Sequence, residues 1–245
     1  MGARGAGGMR WGVIIVLGLG LLAYGVYKLN YPTYSWRQNL TLMVETPEGV
    51  RTGSAVGQVT HWFHPAIPVD AGSRNSSLRG EAVVVDLGDG RYLFALLDES
   101  PKKLKAAFAD RLPEFTYGEN GLKRFFRAVE RLRGAAAPVP FAALPRLVTF
   151  GDISDPTSVR LVDPDDLAAV FGEGFALREV TLEITDAPVT SGVVEGVLGW
   201  LPTASYIMPP DPQDRYGDKR TPEQRLMPNN FIDWRTLHDR RVGAE

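Results

Sequence analysis

An uncharged run near the N-terminus, Trp11–Tyr27, constrains this chain more than any other feature. A helix of that length measures about 25 Å, and its extension to Asn30 reaches about 30 Å, the thickness of the hydrocarbon layer of a membrane. Tyrosine side chains gather at the C-terminal end, as is typical of a membrane interface. The pattern predicts a transmembrane helix over residues 11–30, after a short flank over residues 1–10.

A cleaved signal peptide is the alternative to a permanent anchor. Arg4 and Arg10 form a positive N-terminal region, and Ala23 and Gly25 are small residues at the spacing of a peptidase site. In that case the protein is secreted. The apolar run is long for a signal peptide and bulky tyrosines flank the candidate site, so the sequence favours the anchor.

The orientation of the span follows from the basic residues on its two sides. Arg4, Arg10 and the free amine precede it, and Lys28 and Arg37 follow it. Positive residues stay on the cytoplasmic side, and long domains translocate largely regardless of their own charge. We therefore expect a cytoplasmic N-terminus and a periplasmic domain.

The remaining chain predicts an α+β domain over residues 37–205, mainly antiparallel and rich in hairpins, with about four helices. Apolar and polar residues alternate from Leu40 to Glu45, and residues 50–63 read as the returning strand. Asp89-Gly90 is a strong signal for a second hairpin, because both residues tolerate a positive φ. Strands and helices occur in mixed runs, which is typical of α+β proteins.

The clearest helix of this domain covers residues 122–132, where Phe125 and Phe126 lie on an apolar stripe that we expect in the core. Its other face is basic. That face could meet anionic lipid headgroups, although a solvated surface is the commoner explanation. The basic residues are Lys123, Arg124, Arg127 and Arg131.

Other segments are defined by turn and cap chemistry. Residues 65–77 predict a loop, and residues 134–145 a proline- and alanine-rich link. Asp163, followed by Pro164, predicts the N-cap of a further helix, and Gly172 predicts its end.

Composition excludes several kinds of chemistry. The chain has no cysteine, which removes disulfides, thiolate nucleophiles and cysteine metal sites. Its formal net charge of −2 gives no reason to expect a nucleic-acid partner. His61 and His64 are the nearest approach to a metal pair, but on a strand an offset of three places them on opposite faces. No cofactor or metal is therefore expected.

The C-terminal segment 206–245 is rich in proline and charge, and predicts an extended tail. Its apolar residues could form a short element that docks on the domain or on a partner. Because partners bury anchors of this type, these residues are the candidate partner contacts. These are Phe231, Ile232, Trp234 and Leu237.

Two stretches, YPTYSWRQNLTLMVETPEGVRTGSAVGQV and VRLVDPDDLAAVFGEGFALREVTLEITDAPVTSG, resemble a family of bacterial single-pass membrane proteins of unknown function. The resemblance implies the inner membrane of a bacterium and brings no activity. The hypothesis from sequence is a non-catalytic interaction or accessory module of the cell envelope. The alternative is a periplasmic hydrolase or ligand-binding enzyme whose site is assembled from loops, including His61, His64 and Asp152.

Overall fold

A computed structural model of the chain describes residues 6–65, 73–114, 116, 118–208 and 220–242, with side chains from residue 12 onward apart from residue 241. Helices and antiparallel, hairpin-rich sheets are mixed along the chain, which confirms the predicted α+β class. The chain divides into two compact units. The first contains residues 1–34 and 61–76, and the second contains residues 35–60 and 77–245.

Helix α1 (Ala6–Asn30) dominates the first unit. Its stretch Gly12–Asn30 has a mean hydropathy of 1.9 and no buried share, so its leucine, valine and isoleucine side chains have no protein cover. By length and composition this helix can span a membrane or act as a signal sequence. Close to its C-terminal end the Lys28 ammonium lies 5.9 Å from the centre of the Tyr24 ring.

Part of the loop predicted over residues 65–77 is a strand in the structure. Residues 66–72 lie outside the described residues, but Arg74–Arg79 forms strand β3 instead of the loop predicted over residues 65–77. Its composition of arginine, asparagine and serine resembles a loop because the strand lies at a sheet edge and is largely open to solvent. The Tyr34 and Phe63 rings pack edge to face, with 6.2 Å between their centres.

Five strands form the larger sheet, in the order β3-β2-β1-β9-β6. Strands β1 and β9 are antiparallel, with Leu40 opposite Leu182 and Leu42 opposite Val180. All four of these side chains are buried, so one face of the sheet packs on the core as the alternation predicts. The strands not yet bounded are β1 (Thr33–Thr46), β2 (Gly49–Phe63), β6 (Ala136–Pro138) and β9 (Ala176–Thr185).

Four antiparallel strands form the smaller sheet, in the order β4-β5-β7-β8. The predicted turn at Asp89-Gly90 joins β4 to β5, and both residues have positive φ, 53° and 72°. The hairpin prediction is therefore confirmed. The strands are β4 (Val83–Gly88), β5 (Arg91–Ala95), β7 (Leu147–Phe150) and β8 (Val159–Val162).

The smaller sheet comes very close to strand β2 at Gly53. A Cβ atom added to this glycine would lie 2.0 Å from the carbonyl oxygen of Val84. That separation is far below contact distance, so the backbones approach to a distance that only glycine permits.

Five helices follow in the second unit: α2 (Lys102–Ala107), α3 (Glu119–Glu130), α4 (Ala168–Phe171), α5 (Val193–Val197) and α6 (Trp234–Val242). Helix α3 buries Phe125 and Phe126, as predicted, and the Phe126 ring lies 5.8 Å from the ring of Trp36. Helix α4 starts later than predicted. Asp166 takes the capping role in place of Asp163, because its carboxylate accepts a hydrogen bond of 3.0 Å from the amide of Ala169.

The C-terminal segment differs from the extended tail predicted over residues 206–245. Residues 220–242 form two 3-10 turns and helix α6, while residues 209–219 and 243–245 lie outside the described part. Phe231 is fully buried, with its ring 5.9 Å from the rings of both Phe94 and Phe150. Apolar burial therefore determines this segment's structure despite its content of proline and charge.

Candidate functional site

The four candidate partner contacts of the C-terminal segment have different surroundings. Phe231, Ile232 and Leu237 are at most 5% exposed and belong to the chain's own hydrophobic core. Trp234, between them in sequence, is 60% exposed. Among these four, Trp234 offers the large apolar surface to another molecule.

An open groove of about 350 Å³ lies beside Trp234 and is called the Trp234 groove below. Both apolar and polar side chains line it, with Met227 and Pro228 at the start of the preceding 3-10 turn and His238 on helix α6. A large aromatic side chain next to a concave surface suits the insertion of an apolar side chain from a partner. The lining residues are Ser205, Met227, Pro228, Asn229, Trp234, Leu237 and His238.

Asp233 fixes the start of helix α6 and therefore the position of Trp234. Its carboxylate accepts from the amide of Thr236 at 3.1 Å and from the hydroxyl of Thr236 at 2.9 Å, which caps the helix. The same carboxylate accepts from the amide of Gly80 at 3.0 Å. One buried side chain thus caps the helix and fastens it to the domain.

Backbone hydrogen bonds complete this attachment. The amide of Ala82 donates to the carbonyl of Phe231 at 2.7 Å, and the amide of Leu97 donates to the carbonyl of Asn230 at 2.8 Å. The Trp234 groove is therefore built on an ordered part of the fold, which keeps the entropy cost of binding low.

Glu81 is a second buried carboxylate beside this attachment, at 3% exposure. It accepts from the amides of Val193 at 3.0 Å and Val194 at 3.2 Å, and so caps helix α5. Burial raises the pKa of the Glu81 carboxyl, while these amide donors act in the opposite direction. Glu81 and Asp233 line one cavity of about 100 Å³. Both carboxylates accept hydrogen bonds from backbone amides.

A larger and more polar groove, of about 520 Å³, lies at the start of β1 and is called the β1 groove below. The Arg37 guanidinium donates to the carbonyls of Asp186 and Ala187 at 3.0 and 3.2 Å. Arg133 lies 3.4 Å from the Asp186 carboxylate, with both side chains largely exposed. The lining residues are Ser35, Trp36, Arg37, Gln58, Glu130, Arg133, Ile184, Thr185 and Asp186.

The histidines considered as metal ligands have local partners in the first unit. His61 is 4% exposed, and its Nδ1 lies 3.3 Å from a guanidinium nitrogen of Arg74. Burial and the Arg74 charge lower the pKa of His61 to about 4. His64 contacts the carbonyl of Pro65 and the amide of Asn75. Within the described residues no three histidine and carboxylate side chains form a group suited to a metal ion.

Asp152, the carboxylate of the enzyme alternative, lies in the second unit on an exposed turn. It accepts from the hydroxyl of Ser154 at 2.7 Å and from its amide at 2.9 Å. These hydrogen bonds lower the pKa of Asp152 and make it a turn-stabilising residue.

Lys103 is a buried charge that the sequence does not reveal, because lysine in an amphipathic helix normally faces water. Its ammonium donates to the carbonyl of Asp98 and lies 3.5 Å from the Asp98 carboxylate. Burial lowers the pKa of Lys103, and Asp98 opposes that shift. A cavity of about 30 Å³ next to Lys103, Gln38 and Glu81 has the size of a single water molecule.

Comparison of the chain with protein-family models, with curated proteins and with solved structures found no match. The resemblance to bacterial single-pass membrane proteins therefore stays an expectation from the sequence.

Proposed function

We propose that this chain is a membrane-anchored accessory protein of the bacterial cell envelope. Helix α1 holds it in the inner membrane, its domain lies in the periplasm, and the Trp234 groove binds a partner protein through an apolar side chain of that partner.

The uncovered apolar surface of helix α1 supports the anchor. Leu21 and Leu29 expose 72% and 82% of their surface, and the whole stretch Gly12–Asn30 is without protein cover. Burying such side chains in lipid gains about 1.5–3 kcal/mol for each large one. The basic residues Arg4 and Arg10 before the span favour a cytoplasmic N-terminus.

Reporter fusions after Gly134 test the topology. Alkaline phosphatase should be active there, because it is active only outside the cytoplasm, and activity of a cytoplasmic reporter would contradict the periplasmic assignment. Mass spectrometry of the mature N-terminus separates the two fates of α1. A chain that starts near Met1 is anchored, whereas one that starts after Gly25 has lost a signal peptide.

The observation that carries the partner proposal is the exposure of Trp234 in a segment whose other large apolar side chains, Phe231, Ile232 and Leu237, are buried. A tryptophan exposed at 60%, on a helix whose first turn is fixed by Asp233, is a preorganised apolar anchor. Tryptophan is among the residues most enriched at the energetic centres of interfaces, where its loss costs about 2–4 kcal/mol of binding.

Affinity purification from membranes tests the partner, with the wild-type chain, Trp234→Ala and the matched control Arg235→Ala. Arg235 is the exposed neighbour of Trp234 on α6. The wild type and Arg235→Ala should recover the same partner, and Trp234→Ala should lose it. Equal recovery by all three would remove the Trp234 groove from the interface.

The β1 groove favours a second candidate function, the binding or hydrolysis of a small polar ligand. Its size suits a small molecule, and it offers the Arg37 and Arg133 cations beside the Glu130 and Asp186 carboxylates. A broad ligand and substrate screen on the wild type and on Arg133→Ala distinguishes the two. A ligand or turnover that depends on Arg133 and survives Trp234→Ala would favour this second function.

A further inference from the structure

We infer that the exposed arginines of helix α3 form a docking surface for the anionic headgroups of the membrane in which the chain is anchored. This inference rests on the proposed anchor and adds a second, electrostatic contact with the same bilayer. The surface consists of Arg124, Arg127 and Arg131 and is called the arginine stripe below.

The three arginines occupy one side of the helix. Positions 124, 127 and 131 follow helical spacing and lie on the face opposite Phe125 and Val129, which are fully buried. All three side chains are exposed. The hydrophobic contacts of α3 thus turn the stripe outward from the domain.

Helix α3 also carries two acidic side chains, Glu119 and Glu130. Glu119 pairs with Lys123 one turn along the helix. Glu130 accepts a hydrogen bond of 2.8 Å from the backbone amide of Ser35. The Ser35 amide is neutral, so Glu130 keeps its charge, but three arginines against this one carboxylate still give α3 a net positive charge. That charge complements the negative surface of a membrane that contains anionic lipid.

The contact of Glu130 with Ser35 also locates helix α3 along the chain. It ties the C-terminal end of the helix to the first residue of the second unit, and Phe126 packs on the following Trp36. Ser35 is the fifth residue after Asn30, where α1 ends, and five residues of extended chain span at most about 18 Å.

This short connection limits how far Ser35 can lie from the end of the anchor. An anchor that ends at the membrane interface keeps Ser35 within about 18 Å of it, and long arginine side chains shorten the remaining gap. Electrostatic attraction acts over about 8–10 Å at physiological salt. Each basic side chain at an anionic surface contributes about a fivefold increase in the ratio of docked to undocked protein.

The test uses the full chain in lipid nanodiscs, because the chain has no cysteine and accepts a single label. Asn120→Cys, exposed on the same face of α3, carries a fluorophore, and nitroxide-headgroup lipid quenches it on contact. Discs contain phosphatidylcholine alone or phosphatidylcholine with phosphatidylglycerol. Quenching should be stronger in the mixed discs and should fall to the phosphatidylcholine level at high salt.

Charge variants of the labelled chain provide the specificity control. Arg124→Gln with Arg127→Gln and Arg131→Gln should lower the ratio of docked to undocked protein on mixed discs by on the order of a hundredfold. The matched control removes the same charge from exposed arginines outside α3, through Arg111→Gln, Arg160→Gln and Arg178→Gln, and should retain the quenching.

The two proposals fail in different ways in this experiment. A chain that does not enter the discs contradicts the membrane anchor itself. A chain that enters them but shows equal quenching in both lipids, or quenching that survives the removal of the arginine stripe, overturns the electrostatic contact and leaves the anchor in place.

Discussion

Phe231 and Trp234 are three positions apart in one short segment, yet their side chains have opposite surroundings. Phe231 completes a ring cluster with Phe94 and Phe150, whereas Trp234 faces solvent beside the Trp234 groove. By residue type alone, both are large apolar side chains that a partner could bury. Only the path of the chain through Ile232 and Asp233, which pairs with the Gly80–Ala82 backbone, decides which one is buried.

This difference makes a prediction about stability. Phe231→Ala should lower the free energy of unfolding by about 3–5 kcal/mol, because it leaves a cavity in the core. Trp234→Ala should change it by about 0.5 kcal/mol or less, because it removes an exposed side chain. Chemical denaturation of the full chain in detergent measures both. Similar costs for the two variants would mean that the segment docks differently.

His61 predicts a dependence of stability on pH. Its folded pKa of about 4 lies below the ordinary histidine value of 6.5, so the unfolded chain takes up a proton first as the pH falls. The stabilising contribution of neutral, buried His61 is complete above pH 6.5 and is lost progressively toward pH 4. The expected loss is about 3 kcal/mol.

The control for this prediction is His61→Phe, which keeps a buried ring and removes the titration. Denaturation of both proteins from pH 7 to 4 gives the difference in unfolding free energy, in which other titrating groups such as Glu81 cancel. The wild type should lose stability relative to the variant across this range. A constant difference would show that His61 does not titrate in the folded state with a lowered pKa.

At the level of elements, the sequence predicted those whose pattern is local. The alternation of β1, the Asp89-Gly90 turn and the apolar stripe of α3 are each contained in a few neighbouring residues, and all three are confirmed. Strand β3 was missed because an edge strand needs no apolar face. For residues 231–237 the sequence predicted a short element docked on the domain or on a partner. It did not decide between the two, because docking depends on distant contacts such as that of Asp233 with Gly80.

Candidate sites were less predictable from the sequence than elements. Both grooves combine residues from separate parts of the chain, for example Ser35, Glu130 and Asp186 in the β1 groove. The burial of Lys103 and Glu81 was not predicted, because charged residues in a single sequence are normally expected at the surface. The spacing of residues along the chain does not show which distant residues come into contact in the fold.

The approach of strand β2 to the smaller sheet gives a prediction at this scale. Gly53→Ala should destabilise the fold by about 1–3 kcal/mol or more, because its methyl group would overlap the carbonyl of Val84. Gly196→Ala in helix α5 is the matched control. A Cβ there meets nothing within 4 Å, so the change should stabilise by about 0.5–1 kcal/mol. Thermal melting distinguishes the two signs, and equal shifts would refute the close approach.

At the scale of the whole molecule, the C-terminal segment is an integral part of the second unit. It contributes the buried side chains of Leu226, Phe231, Ile232 and Leu237. Four such side chains account for about 6–12 kcal/mol of apolar burial, which is comparable to the full stability of a typical domain.

A chain that ends at Met208 should therefore lose its folded second unit, whereas one that ends at Val242 should keep it. Limited proteolysis and the binding of a dye for exposed apolar surface measure the outcome in the full membrane-anchored context. Resistance of the shorter chain equal to that of the longer one would show that the domain closes its core without the segment.

The burial of Phe231 against Phe94 has a consequence for folding during synthesis, because the core cannot be completed before residue 231 is made. A ribosome adds about 5–20 residues per second, so Phe231 emerges on the order of ten seconds after the ring that it must cover. During that interval the ring of Phe94 and, once it is made, the ring of Phe150 lack the cover that Phe231 provides. Until Phe231 is made, the nascent domain exposes apolar surface of the kind that chaperones bind, so we expect quality control to remove a chain that stops before residue 231.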